Sequence, residues 1–285
     1  MPRTATVLAC TLVPIVAVSL LATQAQSGPN ANGYLLLHTD DTIVYTSDDG
    51  GTYCDQVFNE CLWDPDCTED HSICASALAA LNPTSSRGPE TALIWAIAAF
   101  PRESCPRVSA LQFGLDWPIN GNPLTFLDWG SCASFEIATN GWPEDRRTGT
   151  ALAWSLNPVK RTGFPVYWFA AYSYYGPLEV SVFNFPSGPA AFADDSVPSI
   201  LDPIPEANRG VIGLNGAVGW NPYVLQTPVG ACCTDDGQCT LTTETACTTA
   251  GNEYIGDGVS CDPNPCNVTP VLETTWGGVK SVFRQ

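Results

Sequence analysis

The chain has 285 residues, 45% of them hydrophobic, with 29 acidic against 11 basic side chains and a formal net charge of −18. That hydrophobic share allows a buried core and excludes a wholly disordered chain. The acidic surplus repels phosphate backbones and so excludes nucleic acid as a partner, while calcium and basic partners stay compatible with it.

Arg3 followed by an apolar run over residues 7–21, then Thr23-Gln24-Ala25, has the form of an export signal, with cleavage expected after Ala25. The apolar run is shorter than the ~20 residues a membrane-spanning helix needs. No later stretch is longer, so a mature chain without a transmembrane segment is expected, secreted to the extracellular space or the cell surface.

Cysteine usage agrees with export. Of 13 cysteines, Cys10 falls in the signal; the others form two sets of six. The first is Cys54, Cys61, Cys67, Cys74, Cys105 and Cys132, and the second Cys232, Cys233, Cys239, Cys247, Cys261 and Cys266. Even sets in an exported chain predict disulfides. Zinc is the competing reading, but His38 and His71 stand at no ligand spacing from a cysteine pair and no Cys-x2-Cys occurs.

Residues 34–38 and 42–46 are apolar and β-branched runs around Thr39-Asp40-Asp41, which predicts a hairpin. Residues 54–74 hold four cysteines and read as a stapled insertion, with a short helix over 73–81. The continuous apolar run 91–100 predicts a buried strand, although periodicity alone leaves a helix open. Residues 108–117 alternate, and Leu111, Phe113, Leu115 and Trp117 should point inward. Further strands are expected over 135–138, 150–156, 164–175 and 178–185, with Gly176-Pro177 as a turn between the last two. Residues 192–219 read as loop-rich.

Many short strands rich in Val, Phe, Tyr and Trp predict an all-β fold, a β-sandwich or jelly-roll-like domain over residues 32–223. A boundary is expected near Gln226-Thr227-Pro228, followed by a disulfide-rich module over 230–266 that is too short to be stable without its cross-links. Six cysteines allow 15 pairings, and the spacing does not choose among them. The tail, 267–285, predicts a short C-terminal amphipathic helix with Trp276, Val279 and Phe283 on one face and Lys280 and Arg284 near its end.

Several of these segments carry a resemblance. Gly230-Ala231-Cys232-Cys233, Asp236-Gly237-x-Cys239 and Tyr254-x-Gly256-Asp257-Gly258-x-Ser260-Cys261 resemble a cysteine-rich repeat of exported proteins from environmental bacteria. Residues 275–284, from Thr275-Trp276-Gly277-Gly278 to Arg284, resemble the C-terminal tail of uncharacterised secreted proteins of similar bacteria, and residues 166–172 and 192–199 resemble motifs of those same proteins. The resemblance implies secretion and carries no activity with it.

For chemistry, a nucleophile needs a base beside it, and only His38 and His71 could serve; no Gly-x-Ser-x-Gly elbow is present. A structural role is the expectation for both. Asp116, Asp128, Glu136 and Glu179 lie near aromatics and are the carboxylates from which a glycosidase pair could be drawn, a nonspecific signal in so acidic a chain. Nine Trp and nine Tyr could supply stacking platforms for sugars; Trp117, Trp129, Trp142, Trp154 and Trp168 are candidates, and Trp129 and Trp142, in Gly/Pro-rich surroundings, are those expected to be exposed. Asp194, Asp195 and Asp202 fall in one loop-rich region and form the candidate calcium site, the one cofactor the residues suggest, against the plainer reading of solvated loop acids. The Trp276/Val279/Phe283 face is the candidate docking site for a cell-surface or sorting partner, against an ordinary packed terminal helix. Together these features point to a secreted or cell-surface, non-catalytic structural or binding protein, with a carbohydrate-binding module or carbohydrate-active enzyme as the alternative.

Overall fold

The computed structural model describes residues 27–57, 60–119, 123–154, 157–223, 229–257 and 259–266. The export signal (1–25) and the tail with Trp276, Val279 and Phe283 lie outside the described residues. The chain divides into two compact units, Met1–Pro222 and Tyr223–Gln285.

The first unit contains β1 (Tyr34–Thr39), α1 (Ser72–Ala79), β2 (Ala92–Ala99), β3 (Ala110–Asp116), β4 (Leu124–Ser131), β5 (Phe135–Ala138), β6 (Gly149–Ala153), β7 (Gly163–Ser173), β8 (Leu178–Phe183), β9 (Ala191–Ala193), β10 (Leu201–Pro203) and β11 (Val211–Leu214). They form a β-sandwich of two antiparallel sheets. The smaller has the order β1-β2-β7-β4; the larger runs β10-β9-β3-β6-β5, with β8 pairing β3 and β11 pairing β8. One edge of β3 is thus shared, residues 110–112 with β9 and 114–116 with β8. The Gly176-Pro177 turn joins strands of different sheets, because β7 and β8 never pair.

Alternation decides which side chains meet between the sheets. Leu111, Phe113 and Leu115 of β3 face Leu35, Ile94, Phe126 and Phe169 of the other sheet in one apolar cluster. Each such side chain contributes roughly 1.5–3 kcal/mol when fully buried. A bulge in β7 opposite Ala96 and Ile97 turns both Val166 and Tyr167 into that core.

The run 91–100 becomes β2, and every one of its residues is buried. Its second face is covered by the cysteine-rich insertion, so no polar side is needed. The Trp95 indole donates to the Tyr53 carbonyl at 2.8 Å, and Tyr53 packs edge-on to Trp168, ring centroids 4.8 Å apart. Gly163 lies beneath this layer: a Cβ there would meet Cys61 Sγ at 2.8 Å and Leu78 Cδ2 at 3.0 Å.

The disulfides observe the division into two sets. Cys54–Cys132, Cys61–Cys74 and Cys67–Cys105 lie in the first unit; Cys232–Cys247, Cys233–Cys266 and Cys239–Cys261 in the second. The insertion is therefore closed on itself by one bond, and two others fasten it to the sandwich.

Two expectations are corrected. The hairpin over 34–38 and 42–46 does not form: β1 pairs with β2 in register Tyr34↔Ala99 to Thr39↔Ile94. Residues 42–46 are drawn away because Asp40 caps a turn by accepting from the Thr42 amide and hydroxyl and Arg87 captures the Asp41 and Ile43 carbonyls. The loop-rich region 192–219 holds β10 and β11, and β4 forms where the residue pattern predicts no strand. These strands are short or glycine- and proline-marked, so their pairing partners define them more than their own residues do.

The second unit contains β12 (Val229–Cys233), β13 (Cys239–Thr243), α2 (Glu244–Thr249) and β14 (Glu253–Asp257), the strands ordered β13-β12-β14. The Thr243 hydroxyl caps α2 by accepting from the Ala246 amide.

Candidate functional site

Of the two tryptophans expected on the surface, Trp142 is buried and Trp129 is partly exposed. Trp142 is only 6% exposed and sits in the core. Its Nε1 donates to the Tyr167 hydroxyl at 3.1 Å, and its ring meets Phe113 edge-on at 5.5 Å. The Gly/Pro-rich context marks a turn rather than exposure: the Trp142 amide bonds back to the Thr139 carbonyl, and the turn points the indole inward. Trp129 is partly buried and packs against the same core through Phe126.

The three loop acids also separate. Asp202 on β10 is buried and accepts from the Gly28 and Asn30 amides at 2.7 and 3.0 Å, pinning the start of the described chain. Asp194 is buried and accepts from the Ser196 hydroxyl and the Ile200 amide, each at 2.7 Å. Burial opposes its charged form, but the bonds from Ser196 and Ile200 outweigh it and hold the carboxyl below its ordinary value. Asp195 pairs with Arg107 at 2.8 Å. Three carboxylates thus hold three different pieces of chain, which corrects the calcium reading. Among the described residues no group of three or more His, Cys, Asp or Glu could hold a metal ion.

Both histidines and two of the candidate carboxylates are engaged as well. Nδ1 of His38 lies 3.0 Å from the Asn82 amide nitrogen and accepts its proton; burial keeps the ring below its ordinary pKa. His71 pairs with Asp64 at 3.2 Å, both buried. Asp116 is bound by Arg146 and Arg147, and Asp128 by the Tyr45 hydroxyl. Asp116 and Glu179 line one cleft of about 230 Å³, with Trp117 and Arg146.

The structure does assemble a surface on the outer face of the larger sheet. Because Leu111, Phe113 and Leu152 point inward, their strand neighbours point out. Register aligns Leu201, Ala193, Ala110, Ala153 and Phe135 in one row across five strands. The next row is Pro203, Ala191, Gln112, Ala151 and Ile137. Leu201, Phe135 and Ile137 are 62%, 56% and 60% exposed. The alanines form a low floor between these taller rims, about 19 Å apart at a strand spacing of about 4.8 Å. The Gln112 amide is bound to the Pro189 carbonyl at 2.7 Å, and Ala193 of the first row and Ala191 of the second are buried, 9% and 2% exposed, so both rows are covered at β9 and open at Leu201 and over β5. Phe135 and Ile137 are legible in the sequence only as strand residues; their outward direction follows from Glu136, which faces inward to accept from buried Thr150 at 2.7 Å.

No family model matches the chain, and no curated protein matches it. Solved structures that do match include a chain of the CaDoc0917–CaCohA2 complex, 11% identical with a TM-score of 0.35 over 47% of this chain and 95% of that one. Another is the sixth cohesin from Acetivibrio cellulolyticus scaffoldin B, solved with a mutant Cel5 dockerin: 14% identity, TM-score 0.33, 47% and 94% covered. A third is the non-cellulosomal cohesin of the archaeon Archaeoglobus fulgidus: 9% identity, TM-score 0.29, 47% and 86% covered. The sandwich assignment here rests on the strand pairing.

Proposed function

We propose that this chain is an exported, non-catalytic binding protein that engages a protein partner through the outer face of its larger sheet. The observation that carries this reading is the row Leu201–Ala193–Ala110–Ala153–Phe135, outward-facing yet wholly apolar. An antiparallel sheet with one face in water ordinarily alternates apolar inside with polar outside. Large apolar side chains left open on such a face, here Phe135 and Ile137 at one side and Leu201 at the other, mark an interaction surface. Small residues between aromatic and aliphatic rims let a partner approach closely while Phe135 serves as an anchor. Export is supported by the six disulfides, which persist in oxidising compartments, and by the form of residues 1–25. No helix among the described residues is long and apolar enough to cross a membrane.

A photo-crosslinking residue at Phe135, Ile137 or Leu201, introduced in the cells that make the protein, tests this. Cross-links to one identified protein are expected from these positions and not from exposed Ser187 in the neighbouring loop. The purified partner should then lose at least about tenfold in affinity for an Ile137→Glu variant, about 1.4 kcal/mol. Profiles at the three face positions indistinguishable from that at Ser187 would defeat the reading.

A further inference from the structure

A cleft of about 380 Å³ opens where the cysteine-rich insertion meets the sandwich, and its lining includes Asp55, Trp63, Trp154, Val159, Arg161 and Phe164. We infer that this cleft is a binding site for a short saccharide, with the Trp63 and Trp154 rings as apolar platforms and Arg161 and Asp55 as the hydroxyl-reading groups. It is separate from the sheet face described above and does not rest on that reading.

The walls are preformed. The Cys54–Cys132 disulfide is itself part of the lining. Cys61–Cys74 fixes the segment that carries Trp63, and the Asp64 amide next to it donates to the Lys160 carbonyl at 2.9 Å. Asp64 also accepts from the Glu69 amide at 3.0 Å and pairs with His71, so the turn beyond Trp63 is held from two sides. Elsewhere in the lining the Trp154 amide donates to the Ser109 carbonyl at 2.9 Å, and its ring packs edge-on to Phe164, centroids 5.6 Å apart. Val159 exchanges both backbone hydrogen bonds with Val108. A site fixed in this way loses little entropy on binding.

The chemistry selects the ligand class. Trp63 remains 45% exposed although disulfides anchor the segment on either side. Its indole offers a flat apolar face, which suits the C–H face of a pyranose ring, while a guanidinium and a carboxylate in the same cleft supply a donor fork and an acceptor for adjacent hydroxyls. The volume falls within the range of small-ligand clefts. A purely apolar ligand would leave Arg161 and Asp55 without a role, and a polyanion would meet Asp55 in a chain of net charge −18.

The test uses the mature chain on a panel of cello-, xylo-, chito- and galacturono-hexaoses, read by titration calorimetry and tryptophan fluorescence. At least one probe should bind, and Trp63→Ala and Arg161→Gln should each weaken it by about tenfold or more. Trp63 is half-exposed, so its variant should keep the melting temperature of the parent; Trp220→Ala, exposed and on another part of the sandwich, should bind as the parent does. Absence of binding by every probe overturns the inference. So does binding that Trp63→Ala and Arg161→Gln leave unchanged, or that Trp220→Ala weakens equally. Binding of the galacturono-hexaose with no neutral counterpart would also overturn it, because Asp55 and the net charge of −18 oppose a polyanion.

Discussion

Glu136 accepts the hydroxyl proton of Thr150 at 2.7 Å from the interior side of β5, in a strand whose apolar residues, Phe135 and Ile137, face water. Thr150 is fully buried, and Tyr167 beside it has its hydroxyl pKa pushed up by burial, with the Glu136 charge adding to the rise. The β5–β6 register that sets Glu136 opposite inward-facing Leu152 leaves Phe135 and Ile137 on the outer side, and this polar contact satisfies the carboxylate within.

Removing the hydroxyl should show how much the contact contributes. Thr150→Val leaves the Glu136 carboxylate short of a partner in a partly buried place, a loss of about 1–3 kcal/mol. Urea denaturation followed by tryptophan fluorescence checks it, and a change under about 0.5 kcal/mol, the range of neutral surface substitutions, would refute the role.

Trp142→Ala should be more damaging than truncation of any exposed tryptophan. It opens a cavity among Phe113, Tyr167 and Phe169 and should cost about 3–5 kcal/mol. The same substitution at exposed Trp220 should stay within about 0.5 kcal/mol. Urea midpoints of the two variants against the parent give the comparison.

Gly163→Ala places a methyl group against the Cys61 sulfur and Leu78. The disulfide cannot swing aside, so overpacking should cost about 1–3 kcal/mol. The thermal melt should fall, with the disulfide map unchanged.

Stability should decline on acidification in two windows. His38 has a folded pKa below its ordinary 6.5, so the unfolded chain binds a proton the folded chain refuses; that contribution is complete above about 6.5 and is lost as pH falls below it. Asp64 and Asp194 have folded values below 3.8; their contribution is present above that value and is lost as pH falls through the lower folded one. For Asp64 the leading cause is the bond from the Glu69 amide. Melting temperatures from about pH 8 to about pH 2 should show both declines, and His38→Gln should reduce the first alone.

Removing the Cys54–Cys132 bond, which closes a separation of 78 residues, should cost about 4–5 kcal/mol; removing Cys61–Cys74, with a separation of 13, should cost about 3 kcal/mol. Paired Cys→Ser variants measured in urea give the ordering. A non-reducing peptide map should return the six pairs described.

Much was readable in the residues themselves. Alternation over 108–117 dictated which face of β3 is buried, because side chains on a strand point to opposite sides with period two. Cysteine number and spacing separated the two disulfide sets. The unbroken apolar run 91–100 implied burial on both sides, since a solvated face would need polar residues. What the neighbours of a residue do in space was beyond that reach. Trp142 stands in a Gly/Pro context that suggests exposure, but the turn it closes, back to Thr139, points its indole into the core. Asp194, Asp195 and Asp202 are close in sequence, yet each bonds to a different distant or local partner. The outward apolar row exists only because five strands, drawn from residues 110 to 203, come into one register. Local periodicity is a property of one strand, whereas a surface belongs to the pairing of several, and pairing is decided by contacts between residues far apart along the chain.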